Sequence, residues 1–198
     1  MSVYRKVRAV EKLFRDLDGR ISEFQNSTGL KCIAGCGKCC LKPDIEATVL
    51  EFLPFAWHVF KSGQIDDCYD RLSHSESALC MILAPALSST ANGFCTSYEH
   101  RGLICRLFGF SARRNKYNSP ELFTCRLIKD EQPEKYLEVT ENIKRDLDVP
   151  VVTDYYMKLK NIDPEWGTIT YPINEAIRKA MEVVLNYYYF RKLSAKNT

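Results

Sequence analysis

The chain contains no long apolar run. Its most apolar stretch, Val49 to Phe60, is broken by Glu51, Pro54 and His58 and is too short to cross a bilayer, so no membrane partner is expected. Residues 1–20 mix charged and apolar side chains and show neither a continuous hydrophobic segment nor a small-residue cleavage site, which gives no export signal. Low-complexity segments and acidic or basic tails are missing as well. The sequence has no Walker loop, no GxGxxG and no HExxH, which removes the common nucleotide and zinc-protease readings. Histidine is scarce, at three residues, and no nucleophile–base arrangement stands out. His58 falls in an apolar helical stretch and reads as a packed core residue, while His74 sits in a polar loop. His100 lies between two cysteines, where it could replace a ligand or donate a proton.

What the chain does have is cysteine. Of nine in all, Cys32, Cys36, Cys39 and Cys40 fall within nine residues, and Cys80, Cys95, Cys105 and Cys125 follow singly. Without an export signal a cytoplasmic location is expected, and there thiols stay reduced and a disulfide framework does not form. The odd count points the same way. A length of 198 residues suits a single domain with an ample hydrophobic core, so the cysteines are not needed to rescue a mini-protein.

A buried cysteine can serve as a small hydrophobe. Between Cys32 and Cys40, however, glycine and lysine separate the thiols where core residues would otherwise stand, and Gly35 and Gly37 flank Cys36. A tight loop there lets backbone amides approach sulfur and stabilise thiolate charge. Cys39 and Cys40 are adjacent, and neighbouring side chains diverge by about 100° in a helix and point to opposite sides of a strand. Two such thiolates rarely serve one tetrahedral ion, so the doublet points to thiols shared between two metal positions. One or two all-cysteine centres are therefore expected, with Cys32, Cys36, Cys39, Cys40, Cys80, Cys95, Cys105 and Cys125 as metal ligands. Cys68, alone on a helical face, reads as structural.

Ligands made only of sulfur select zinc, iron–sulfur clusters or Cu(I) and exclude magnesium and calcium. Zinc ribbons use two CxxC knuckles, whereas this chain has one, Cys36 to Cys39. Cys32, Cys36 and Cys39 share the CxxxCxxC spacing of radical-SAM enzymes. Lys38 stands where those enzymes carry an aromatic, though, and no alternating strand–helix pattern follows. Two centres of four thiolates each, around a divalent zinc or an oxidised [4Fe-4S] cluster, would each carry −2 and take the net charge from +3 to −1. Bulk charge therefore gives no reason to expect a nucleic-acid partner.

The later cysteines have their own grammar: Cys95-Thr-Ser-Tyr98-Glu-His-Arg101-Gly102, then Cys105-Arg106-Leu107, echoed by Cys125-Arg126-Leu127. Arg101, Arg106 and Arg126 place cations beside a thiolate site, offsetting its charge. The plainer alternative for Arg106 and Arg126 is an ordinary surface salt bridge. Arg113, Arg114 and Lys116 extend the basic stretch from Arg101 to Lys116, interleaved with Phe108, Phe110 and Tyr117. That stretch could grip an anionic small molecule or protein substrate, or simply be a solvated loop that balances the thiolates.

At Cys32-x-x-x-Cys36-x-x-Cys39-Cys40, Cys95-x-x-Tyr98-x-x-Arg101 and Cys105-Arg106 the chain resembles the YkgJ-like cysteine-cluster family of zinc- or iron-chelating domains. The likeness covers residues 32 to about 126 and implies a transition metal, as an iron–sulfur cluster or as zinc. A similar domain occurs in flagellin lysine methylases, where an iron–sulfur cluster is implied; the enzymatic alternative is thus redox or group-transfer, protein-modifying chemistry. The family usually has Arg-Pro before its Cys-Arg, and Gly102 replaces that proline here.

The expected fold is mainly α, with terminal helices bracketing an irregular, metal-organised, cysteine-rich core at about residues 30–128 and few short strands. Val3, Val7, Val10, Phe14, Leu17, Ile21 and Phe24 form one helical stripe, open to a coiled-coil partner or to the chain's own core, and Asn26 to Gly29 ends it. A helix from about Ile45, with Asp44 as N-cap, is expected to bend near Pro54 and stop at Gly63. Further helices are expected over Ile65 to Leu72, from Pro133 to about Leu147, and from Pro172 at N1 to the C-terminal aromatic run Tyr187 to Phe190. The terminal two are expected to form an antiparallel pair. Pro85, Ser88 to Thr90 and Asn92-Gly93 mark turns, with short strands over Phe94 to Tyr98 and Leu103 to Phe110.

Overall fold

A computed structural model of the chain describes residues 1–32, 36–84 and 94–196, with the backbone alone for 190–196. Gly35 and the turn formers Pro85, Ser88 to Thr90 and Asn92-Gly93 lie outside the described residues. The elements run α1 (Val3–Thr28), a 3-10 turn at Lys38–Leu41, β1 (Glu46–Thr48), α2 (Leu53–Lys61), α3 (Ile65–Ser73), β2 (Leu83–Ala84), β3 (Phe94–Cys95), a 3-10 turn at Tyr98–His100, and α4 (Leu103–Leu107). They continue with β4 (Ser111–Arg114), β5 (Pro120–Phe123), α5 (Arg126–Glu131), α6 (Pro133–Lys144), α7 (Val152–Ile162), β6 (Thr170–Pro172) and α8 (Ile173–Lys196). The class is mainly α, and the described strands form three antiparallel pairs: β1 with β6, β2 with β3 and β4 with β5.

The stripe of α1 is buried from Val3 to Phe24 against the chain's own core, which fills the face a coiled-coil partner would have used. Ser2 caps α1 at its start by accepting from the Arg5 amide. Gly29 closes it in the left-handed region at φ 67°, where a side chain would be strained, and donates its amide to the Gln25 carbonyl at 2.9 Å.

Three expectations are corrected. The helix from Ile45 does not form there, because residues 46–48 are drawn out by pairing with β6, with Ala47 opposite Tyr171. The helix starts at Leu53 instead, and Pro54 falls in its first turn, where the missing N–H costs nothing. Leu103 to Phe110 is not a strand. Leu103 and Leu107, four apart, are both fully buried on one face of α4. Finally, the terminal helices do touch, but each packs more on other helices: α2 packs against both, α8 lies mainly on α2 and α3, and α1 on α2 and α7. Pro172 closes β6 one residue before α8, whose first amide, at Ile173, donates to the Ile45 carbonyl at 2.9 Å.

Buried side chains form two clusters among the described residues. The larger joins α1, α2, α3, α4, α7 and α8, and Cys80, Cys95 and Cys105 pack on its edge. The smaller, built from Phe24, Leu30, Ala112, Leu122, Ile128, Val139, Ile143 and Val149, has Cys125 at its edge. Among the described residues no helix is long and apolar enough to cross a membrane.

Candidate metal centre

The pairing of β2 with β3 sets Leu83 opposite Cys95, and Cys80 enters the same hairpin three residues earlier. The Leu83 amide donates to the Cys80 carbonyl at 3.0 Å, and the backbone amides of Ile82, Leu83 and Ser97 lie near enough to the Cys80 and Cys95 sulfurs to oppose the upward push of burial on those thiols. Amides so placed stabilise a thiolate whether it is bare or metal-bound. Cys105 comes from the middle of α4 and faces the same region. Burial pushes its thiol up, and the neighbouring charges of Cys80, Glu51, Cys39 and Cys95 push the same way. Burial likewise lifts Cys80 to about 11 against its two amides, and raises Cys95 against the Ser97 amide and the Arg101 and Arg106 cations. Mutual repulsion of this kind shows thiols crowded within electrostatic reach, a cost that a divalent ion or cluster removes.

The doublet meets this group from outside. Cys39 and Cys40 sit in the 3-10 turn at Lys38–Leu41, which buries no side chain, with their sulfurs 3.9 Å apart. Either sulfur can donate to the other; that contact holds Cys39 down to about 6, against burial and with help from backbone amides and Arg101, while Cys40 is pushed far up.

The remaining three thiols gather elsewhere. Cys32, Cys36 and Cys125 surround a niche of about 10 Å³ with Lys31, Leu127, Ile128, Glu131 and Gln132. The side chain of Gln132 pins the niche by accepting from the Lys31 amide at 3.2 Å and donating to its carbonyl at 2.6 Å. Cys125 caps α5, its sulfur accepting from the Ile128 amide at 3.4 Å. Beyond it lies an open cleft of about 1190 Å³ onto which Cys32, Cys36, Cys39, Cys40, Cys105 and Cys125 all face.

Among the described residues, no three His, Cys, Asp or Glu side chains already stand close enough to enclose a metal ion. The donor set nonetheless fits a thiophilic metal. It offers thiols already bonded by amides and cations nearby. It also leaves two buried polar atoms, Arg101 Nε and Thr124 Oγ1, without a hydrogen-bond partner among the described residues, each within a few residues of a candidate ligand cysteine.

The arginines divide. Arg106 is 4% exposed; its guanidinium pairs with Asp18 of α1, donates to the Glu99 carbonyl and, through Nε, to the Arg101 carbonyl at 3.1 Å, and lies over Phe14. It ties the Cys95–Cys105 loop to α1 and is close enough to lower the Cys95 thiol. Arg101 stacks on Tyr98 at 3.7 Å and pairs with Asp18 at 3.6 Å, within reach of Cys39 and Cys95. Arg126 lines the cleft, but its side chain is 92% exposed and pairs with Asp130 at 3.2 Å. Of the other basic residues, Arg113 also lines the cleft, stacked on Phe123 at 3.5 Å, whereas Arg114 and Lys116 lie in the β4–β5 hairpin outside its lining.

His58 is not a core residue. It is exposed, and its ring stacks on His100 at 4.2 Å. His100 itself contacts Ser97 Oγ at 3.2 Å. Cys68 is buried in the larger core, where Arg71 donates to its sulfur at 3.3 Å.

Sequence reasoning missed Glu51. Its carboxylate is fully buried, with Oε1 accepting from the Thr48 amide at 2.9 Å and Oε2 from the Ile104 amide at 2.9 Å, and the Tyr156 hydroxyl lies close enough to lower its pKa. Glu51 thus caps α4, whose own N-cap is Gly102, and so fixes Cys105 and Arg106. The signal was a lone acid in an otherwise apolar stretch. Gly102 is held by space: a Cβ there would meet Phe52 Cζ at 2.9 Å and Glu51 Oε2 at 3.1 Å.

A family model named CxxCxxCC and described as "Putative zinc- or iron-chelating domain" matches residues 31–131. No curated protein and no solved structure matches the chain.

Proposed function

The chain belongs to the CxxCxxCC family of zinc- or iron-chelating domains, and from that premise we propose that its eight clustered thiols hold two all-cysteine centres in a cytoplasmic protein. The supporting observation is the division of the thiols. Cys80, Cys95 and Cys105 pack on the larger core, Cys32, Cys36 and Cys125 surround a niche beside the smaller, and the Cys39–Cys40 doublet, its sulfurs 3.9 Å apart, lines the shared cleft and offers one ligand to each trio. Irregular spacing and the doublet favour iron–sulfur over zinc. When bound, either group supplies a positive centre that keeps the thiolates ionised, and an iron–sulfur cluster adds one-electron chemistry. The chain's own part is to aim the Ile128 amide at Cys125 and to hold Arg101 and Arg106 near the charge. Anaerobic purification followed by metal analysis and visible absorption tests this reading; a folded, colourless and metal-free protein counts against it.

The open cleft favours a second reading in which a centre serves redox or group-transfer chemistry on an anionic substrate. Six of the eight thiols face a space large enough for a small molecule or peptide segment, and Lys38, Lys42 and Arg113 line it. Cys39→Ser separates this from a purely folding role for the metal: a substrate centre leaves a folded, inactive protein, whereas a structural centre leaves an unfolded one.

A further inference from the structure

We infer that the two centres are unequal: the one built on Cys80, Cys95 and Cys105 keeps its metal as a resident, and the one built on Cys32, Cys36 and Cys125 exchanges its metal through the open cleft. This rests on the two-centre reading above and deepens it. The resident site is organised before metal arrives. Cys95 is set by the register of β3 on β2, Cys80 is held three residues before Leu83 by the bond from the Leu83 amide to its carbonyl, and Cys105 sits on a helix capped by buried Glu51 and clamped by Arg106 to α1. All three pack on the larger core. Metal binding there orders little that is not already ordered, and such preorganisation is retained as affinity.

The other site lies nearer the surface: Cys32 is exposed, whereas Cys80, Cys95 and Cys105 are all half-buried. Cys32, Cys36 and Cys125 all line the wide cleft, whereas of the other three only Cys105 does, and they also border a niche of about 10 Å³ with room for about one water, so a chelator or a partner's thiols can reach them by ligand substitution. Fixing the backbone of even one further residue on binding weakens affinity by about tenfold. Exchange of this kind needs no electron transfer: an incoming thiol bonds to the metal through its sulfur as a chain thiolate leaves, and the proton given up by the incoming thiol passes to the departing one.

The test is an anaerobic titration of the full-length apo-protein with cobalt(II), read by thiolate-to-cobalt absorption, together with uptake of isotopically labelled zinc by the zinc-loaded protein. Two binding steps are expected, with dissociation constants at least about tenfold apart. Cys36→Ser and Cys125→Ser should remove the weaker step alone, and Cys95→Ser the tighter. One zinc per chain should exchange promptly while the other is retained, and this arm uses the unmutated protein, so it decides the matter even if Cys95→Ser does not fold. Equal affinities with equal exchange, loss of the tight step in Cys36→Ser, or one equivalent bound that needs all eight thiols would overturn the inference while leaving metal chelation standing. No thiolate-to-cobalt absorption at all would remove the two-centre reading and this inference with it.

Discussion

Replacing Glu51 by alanine should cost the fold more than any other single carboxylate change in this chain. The side chain is fully buried and serves three separate elements: Thr48 at the end of β1, the Ile104 amide in the first turn of α4, and Tyr156 on α7. Alanine leaves the two amides buried without acceptors, at about 1–3 kcal/mol each, and opens a cavity; allowing for local relaxation and water entry, the net loss is about 3–5 kcal/mol. Glu51→Gln keeps the volume but turns an NH2 toward donors, for a loss of about 2–3 kcal/mol. The assay is urea unfolding at fixed metal content, reading the midpoint and the slope m. Burial raises the Glu51 pKa against its hydrogen bonds, and the consequence for pH follows from that direction. Its contribution is fully present below the unfolded value of about 4.3 and diminishes as the pH rises through the folded value, so the deficit of Glu51→Gln should narrow from acid toward neutral pH. Because α4 carries Cys105, Glu51→Gln should also weaken the metal centre that uses Cys105 by about 10–100-fold. A loss below about 1 kcal/mol for Glu51→Ala, at unchanged m, would refute the reasoning.

Arg106→Met, which keeps the apolar contact with Phe14 but strands the Glu99 and Arg101 carbonyls, should destabilise by about 2–3 kcal/mol, whereas Arg126→Met at its exposed pair with Asp130 should change stability by less than about 0.5 kcal/mol; thermal unfolding of both compares them directly. Gly102→Ala fits the backbone at φ −63° but not the space beside Phe52, so a loss of about 1–3 kcal/mol is expected in denaturant unfolding, and a neutral result would show that the Phe52 ring moves aside freely. Asp163 is raised by burial, but its pairing with Lys6 and the Trp166 amide outweighs that and holds it below the usual range. Its stabilising contribution is therefore present above about pH 3.9 and lost as the pH falls through the folded value, so wild type and Asp163→Asn should differ by about 1–2 kcal/mol at pH 6 and converge near pH 2–3.

The parts of this fold that could be read in the sequence are those set by local rules. The α1 stripe from Val3 to Phe24 and its glycine stop depend only on residues three and four apart and on one left-handed backbone, and both are as expected. Pro133 likewise marks the start of α6. The failures share a cause, which is distance along the chain. Residues 46–48 become a strand because their partner, Thr170–Pro172, lies more than 120 residues away. Leu103–Leu107 becomes a helix capped by a carboxylate from Glu51. His58 was assigned to the core because its neighbours are apolar, yet on α2 it occupies the face that meets His100 instead of the core. The helix Val152–Ile162 carries a readable stripe of Val152, Tyr155 and Leu159 that was passed over. At the site, spacing was enough to nominate eight thiols, but grouping them took the hairpin register and the two cores, which no spacing encodes.

X-ray absorption at the metal edge of anaerobically purified protein tests the central claim most directly. All-cysteine coordination predicts a first shell of sulfur alone, at about 2.3 Å from the metal, with an additional metal–metal scattering distance if the centre is an iron–sulfur cluster. A first shell dominated by nitrogen or oxygen, or a folded protein whose eight thiols all react with a thiol reagent while no metal is present, would contradict it.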